Sequence, residues 1–370
     1  MRTWDSEQVG MEGDRQLVGT GKAAAAVGVN PATLWRWERD GHVAAETRTV
    51  GGQLRWNIDD LRRQIEAITD TPPTTGPNDV PAGGSEVVGG WDVTHGVGLT
   101  ALIVAAARAE EAKRPDALAV DRFAAGFVQA AEPAMALAAV DGPVWSAFVG
   151  MMAVRTRALD TLILDATTAG IDQIVVPAAG LDARAYRLPW PSGVTVYEID
   201  QPGVLAFKQR VLSDSGAVPH SRYQPVACDL RHDWPSALHT VGFTSTAPTA
   251  WLVEGLLPYL SPEVEADLFA RITELSAPGS RIGIETLDLV AADEWMHTTA
   301  ARGFEAATGC VLAEIWDTRR RAAATDVLRE HGWQTRSREL GELGAELGRA
   351  PTGPAADMAR LAAIVDAQRS

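Results

Sequence analysis

The stretch 173–188, QIVVPAAGLDARAYRL, constrains this chain more than any other. It opens with an apolar run at 174–176, rich in β-branched residues and too short for a free-standing helix. A buried parallel strand is expected there. Pro177 and Gly180 end the run in a tight loop, and a helical stretch is expected from near Asp182. Strand, glycine loop and helix together make the unit that holds a nucleotide-like ligand at the carboxyl end of a parallel sheet. A glycine lets backbone approach a ligand without a clashing Cβ. A helix N-terminus offers unpaired N–H groups to a carboxylate or phosphate.

A dinucleotide fingerprint would place glycines at 178, 180 and 183, where this chain has Ala178, Gly180 and Ala183. The next segments narrow the choice. A second strand, TVYEID at 195–200, ends in acids at the distance expected of a ribose-binding carboxylate. A third, 223–227, runs into ACDL at 227–230. A fourth lies within WLVEGLLPYL, 251–260, and is followed by Glu254 and an aromatic. Successive strands thus deliver polar groups to one sheet edge.

AAGLDARAYRL, YEIDQP, CDLRHDW and VEGLLPYL, in that order, resemble the leucine carboxyl methyltransferase-like family of S-adenosyl-L-methionine (SAM)-dependent methyltransferases, most closely its actinobacterial O-methyltransferase branch. The resemblance runs from about 97 to 333. It implies an α/β, Rossmann-like fold: a mostly parallel sheet of the seven-stranded type, helices on both faces and a helical lid. It also implies roles for matching positions. Arg155 would hold the methionine carboxylate, with Arg157 as fallback, and Gly180 would make room for the methionine tail. Asp200 would take both ribose hydroxyls. Asp229 and the backbone N–H of Leu230 would take the adenine, and Glu254 would lie nearest the sulfonium. Asp182 reads as a helix-capping acid, the alternative being a support that stands behind the site residues. Methyl transfer from a sulfonium is an in-line displacement, so positioning supplies most of the acceleration and no covalent nucleophile is required. The general base is not evident; Glu254, Tyr259, His95, His232 and His239 are the candidates. The methyl acceptor is expected to be a small-molecule carboxylate or hydroxyl.

The chain has 370 residues, which exceeds one ordinary domain. Its division reads as a flexible lead-in (1–14), a small front domain (15–69), a Pro/Gly/Thr-rich linker (70–90) and the methyltransferase part (91–370). No apolar run reaches a membrane span. Neither Cys228 nor Cys310 lies in a CxxC, which argues against metal sites and disulfides and for a cytoplasmic location. The net charge of −15 works against non-specific nucleic-acid binding by the whole chain.

The front domain points the other way. An alanine-rich helix at 21–27 and a turn at Gly28 precede Asn30 and Pro31, which open a second helix over 31–40. A hairpin over 45–56 turns at Gly51 and Gly52, and Asn57 caps a helix over 58–68. GKAAAAVGVNPATLWRWERDG followed by RTVGGQLRW resembles the MerR-like and excisionase-like winged helix-turn-helix domains. That resemblance places Thr33, Arg36 and Arg39 toward the major groove, and Arg48 and Arg55 on the wing. Trp37 reads as core. Residues 15–68 hold eight basic and six acidic side chains, so DNA affinity calls for a homodimer presenting two half-sites. The competing reading is a transcription regulator whose methyltransferase-like part senses SAM or another ligand without turnover.

Further helices are expected over 97–109, 123–139, 144–166, from Pro202 to about 213, and over 262–275. A fifth strand is expected over 281–285, a late strand after Trp333, and a terminal helix over 351–370.

Overall fold

The structure, a computed structural model, describes residues 17–27, 34, 37–38, 42–48, 54–69, 96–131 and 142–370. It forms two units, Met1–Gly84 and Ser85–Ser370. Among the described residues no helix is long and apolar enough to cross a membrane.

In the first unit, β1 (Val18–Gly19) leads into α1 (Thr20–Ala26). The arms of the expected hairpin are β2 (Thr47–Arg48) and β3 (Leu54–Trp56), paired antiparallel. β1 adds to the outer side of β3, a third strand not foreseen from so short a segment. Asn57 caps α2 (Ile58–Thr69) by accepting from the N–H groups of Asp59 and Asp60, both at 3.1 Å. Leu34, Leu54, Trp56 and Leu61 close a small core, and Trp37 packs against it as expected. Thr33, Arg36 and Arg39 lie outside the described residues, as do the linker and His95. Arg48 and Arg55 fall on neighbouring strands.

The second unit is built on a seven-stranded sheet. Its strands are β4 (Gln173–Pro177), β5 (Thr195–Asp200), β6 (Arg222–Ala227), β7 (Thr249–Val253), β8 (Arg281–Leu287), β9 (Trp333–Glu339) and β10 (Ala362–Arg369). Their order is β6-β5-β4-β7-β8-β10-β9. β4 to β8 are parallel, and β10 runs antiparallel to both β8 and β9. Both faces are covered, which explains the near-continuous apolar runs. Successive residues point to opposite faces. Ile174 and Val176 therefore enter one core with Leu252 and Ile364. Val175 enters the other with Trp251, Val253 and Val365. The first core takes in α3 (Gly96–Glu111), α4 (Ala124–Ala130), α5 (Pro143–Thr168) and part of α7 (Pro202–Asp214). The second takes in α8 (Trp234–Thr240), α9 (Pro262–Glu274) and α12 (Ala324–Glu330). α10 (Leu289–Met296) and α11 (Thr299–Thr308) form the helical insertion after β8.

Two expectations are corrected. The helix expected from Asp182 is only the single turn α6, Arg184–Arg187. Pro189 follows it, and a helix usually ends before the residue preceding a proline. The terminal helix expected over 351–370 is cut short. After α13 (Leu340–Glu346), α14 (Pro354–Leu361) gives way to β10. β10 has a strand on each side, and that pairing overrides the helical leaning of its alanines.

The sheet reverses its build direction between β4 and β7, adjacent strands that are not consecutive. Ligands of such sheets bind outside the carboxyl ends of the strands at this point.

Candidate active site

The loop after β4 is the floor of this crevice. Ala178 and Gly180 both take the left-handed backbone, each with φ of 50°. That backbone aims the Gly180 N–H at the strand beyond, where it donates to Asp200 Oδ2 at 2.6 Å. Asp200 Oδ1 accepts from the Gln201 N–H at 2.7 Å. Burial pushes the Asp200 carboxyl up, while the two N–H groups and Lys208 pull it back. α3 lies over the loop: a Cβ added to Gly180 would stand 3.8 Å from the Cβ of Ala101. Arg108, near the end of α3, donates to the Leu181 carbonyl at 2.8 Å. The expected lid helix is therefore anchored to the loop.

One strand over, the Cys228 N–H donates to the Asp200 carbonyl at 2.9 Å, which carries the end of β6 alongside that of β5. Asp229 comes next, held by Arg231 at 2.6 Å, which keeps its carboxyl below the usual range. Arg231 is 75% exposed, so this pair contributes little and yields readily to a ligand. Leu230 is half-buried against the second core. Gly180, Asp200, Asp229 and Leu230 thus lie along three adjacent strand ends.

The other half of the crevice is a buried ionic network. Arg155, on α5, donates from Nη1 to both Glu285 oxygens at 2.8 and 2.9 Å. Its Nε is 2.9 Å from Glu254 Oε1, close enough to pair by charge but off the line of a hydrogen bond. Glu254 Oε2 accepts from Arg184 Nη1 at 2.6 Å. Arg184 also pairs with Asp182 and, at 2.7 Å, with Asp160. Arg187 grips the same Asp160 at 2.6 and 2.7 Å. Three guanidiniums, Arg155, Arg184 and Arg187, thus meet four carboxylates: Asp160, Asp182, Glu254 and Glu285. Burial would raise the Asp182 carboxyl, but Arg184 and Arg187 bring it down to about 2. Burial would likewise raise Glu254, and Arg184 and Arg155 lower it.

Asp182 also accepts from the Arg184 N–H at 2.6 Å. That bond occupies the first N–H of α6, although Ala183 and not Asp182 is the N-cap. Arg157 is exposed, whereas Arg155 is 5% exposed. Tyr259 ends a 3-10 turn, Leu257–Tyr259, beside Thr100 of α3 and Trp316, and burial pushes its phenol up. His232 and His239 are exposed, with His239 bonded to the Phe243 carbonyl.

Asp160, Arg184, Arg187 and Glu285 were missed from sequence. Two of them stand inside DARAYR, where arginines bracketing a strand-to-helix loop needed buried acids as partners.

A doubly wound sheet with a glycine loop and acids at its strand ends defines the class, a nucleotide-cofactor α/β protein. Comparison with known proteins carries this further. Residues 101–273 match the family model described as leucine carboxyl methyltransferase. A protein of Mycobacterium sp. (strain JLS) named "Putative S-adenosyl-L-methionine-dependent methyltransferase" is 42% identical over 299 residues, covering 75% of this chain and 97% of that protein. A Rhodococcus jostii (strain RHA1) protein of the same description is 46% identical over 264 residues, covering 70% and 90%. A crystal structure of a DUF574 family protein from Streptomyces avermitilis aligns with a TM-score of 0.42 at 16% identity, over 61% of this chain and 87% of that one. The chain belongs to the leucine carboxyl methyltransferase family of SAM-dependent methyltransferases. Its cofactor is SAM.

Proposed function

We propose that this protein is a SAM-dependent O-methyltransferase of a small-molecule carboxylate or hydroxyl, cytoplasmic, with a DNA-binding domain in front. The observation that carries the enzymatic part is the bond from Gly180 to Asp200, which brings loop and acid together at the sheet's switch point.

The residues present fit the cofactor. An ionised carboxylate offers about four lone-pair sites, and Asp200 has two accepted bonds, which leaves room for a ribose diol. Asp229 and Leu230 would receive the adenine. Among the described residues, Arg155 Nε and Arg184 Nη2 are buried donors without a hydrogen bond. A carboxylate would answer both. The excess of one acid in the network suits a ligand carrying an ammonium and a sulfonium. When bound, SAM supplies an electrophilic methyl group. The chain orients it, and α3 excludes water. Glu254 is held ionised by two arginines and acts as an electrostatic partner rather than a base. Tyr259, protonated at neutral pH, can donate to an acceptor oxygen.

Isothermal calorimetry tests this. Wild type should bind SAM, and Asp200→Ala should bind it at least about tenfold more weakly. Equal affinities would remove Asp200 from the site. A metabolite screen read by S-adenosylhomocysteine release then identifies the acceptor and separates turnover from sensing. For residues 15–69, selection on random duplexes at low salt should recover a palindrome bound by a homodimer. Recovery of no sequence would remove the DNA-binding reading.

A further inference from the structure

Besides Arg108, one more side chain outside the methyltransferase motifs reaches the glycine loop. Lys208, on α7, is 0% exposed. It pairs with Glu198 of β5, also 0% exposed. It also donates to the Asp182 carbonyl at 3.1 Å. Glu198 stands two residues before Asp200 on the same face of the strand. Asp182 stands two residues after Gly180. One ammonium therefore joins the strand that bears the ribose acid, the helix after that strand and the glycine loop. Burying two charges completely is costly, and an apolar pair of similar volume would often serve stability as well or better. What an apolar pair cannot do is grip a backbone carbonyl at a chosen point.

We propose that Lys208 is a positioning residue for the cofactor site: its ammonium holds the 178–182 loop against β5 in the geometry that receives SAM before SAM arrives. This rests on reading the crevice as the SAM site. Arg108 holds the same loop at Leu181 from α3, so the loop is pinned at consecutive carbonyls, one from α3 and one from α7. The Arg108 side chain is 13% exposed, whereas Lys208 is fully buried. A ligand site assembled in advance does not draw on binding energy to order its backbone.

The test is the double variant Glu198→Gln/Lys208→Met, which removes both charges at similar volume and leaves no lone charge buried. SAM affinity by calorimetry should fall about tenfold. In turnover the KM for SAM should rise, while kcat at saturating SAM and the KM for the acceptor stay as in wild type. Hydrogen exchange should quicken in peptide 178–183 and not in 249–253. A folded double variant with wild-type SAM affinity would overturn the proposal, because a merely structural pair lowers thermal stability without moving these values. Should the double variant not fold, exchange in the wild type decides. Peptide 178–183 must be protected without cofactor, and fast exchange that slows only when SAM is added would sink the idea. Failure of wild type to bind SAM would sink the site reading as well, whereas SAM binding by wild type with an unaltered double variant sinks this inference alone.

Discussion

Ala178 takes a backbone conformation that glycine would take without strain. A left-handed alanine costs about 1–2 kcal/mol, against which glycine loses about 0.5–1 kcal/mol in chain entropy. Ala178→Gly should therefore stabilise the protein by up to about 1 kcal/mol, read as a rise in the urea midpoint at unchanged slope, with SAM affinity no weaker. Asp182 sets a second expectation at this scale. Its folded carboxyl lies near 2, below the ordinary value of 3.8. A depressed acid contributes stability that is full above the unfolded value and is lost as pH falls through the folded one. Urea midpoints should thus drop between about pH 4 and 2, by roughly 2 kcal/mol in free energy, and Asp182→Asn should flatten that part of the curve. Gly180, Asp200 and Asp229 were legible in the sequence because each stands just where an apolar strand run stops. Glu198 was not, although an acid within an apolar strand needs a buried cation. Its partner stands ten residues later, on a helix whose face toward the sheet cannot be read from one chain segment.

β4, β5 and β7 were legible for a related reason: each is a short apolar run stopped by a turn residue or an acid. α9 announced itself through Ser261 and Pro262, and Ser261 Oγ does accept from the Val264 N–H. β10 was hidden because its alanines read as a continuing helix, and only long-range pairing selects the extended form. That pairing is extensive, joining β10 to β8 from Gln368 to Ala362 and to β9 from Arg369 to Ala363. A chain stopped after Leu361 should show no cooperative thermal transition by circular dichroism. A folded truncated protein would mean that β9 can pair directly with β8. At the other edge of the network, Glu285→Gln should lower stability by about 3 kcal/mol, since it leaves Arg155 buried with one fewer charge partner.

At the scale of the molecule, the two compact units make separate claims. Residues 85–370 alone should bind SAM as tightly as the full chain, measured by calorimetry, if the cofactor site is wholly its own. Weaker binding would assign the front unit a share in the site.

The strand order also bears on how the chain is made. β9 precedes β10 in the chain yet lies outside it, so β9 has nowhere to dock until β10 has found β8. The pair is therefore completed late, β10 against β8 and β9 against β10, on a half-built platform. During that interval β8 offers a bare row of amides and carbonyls to any passing strand. Slower synthesis, which lowers the number of half-built copies present together, should raise the soluble yield.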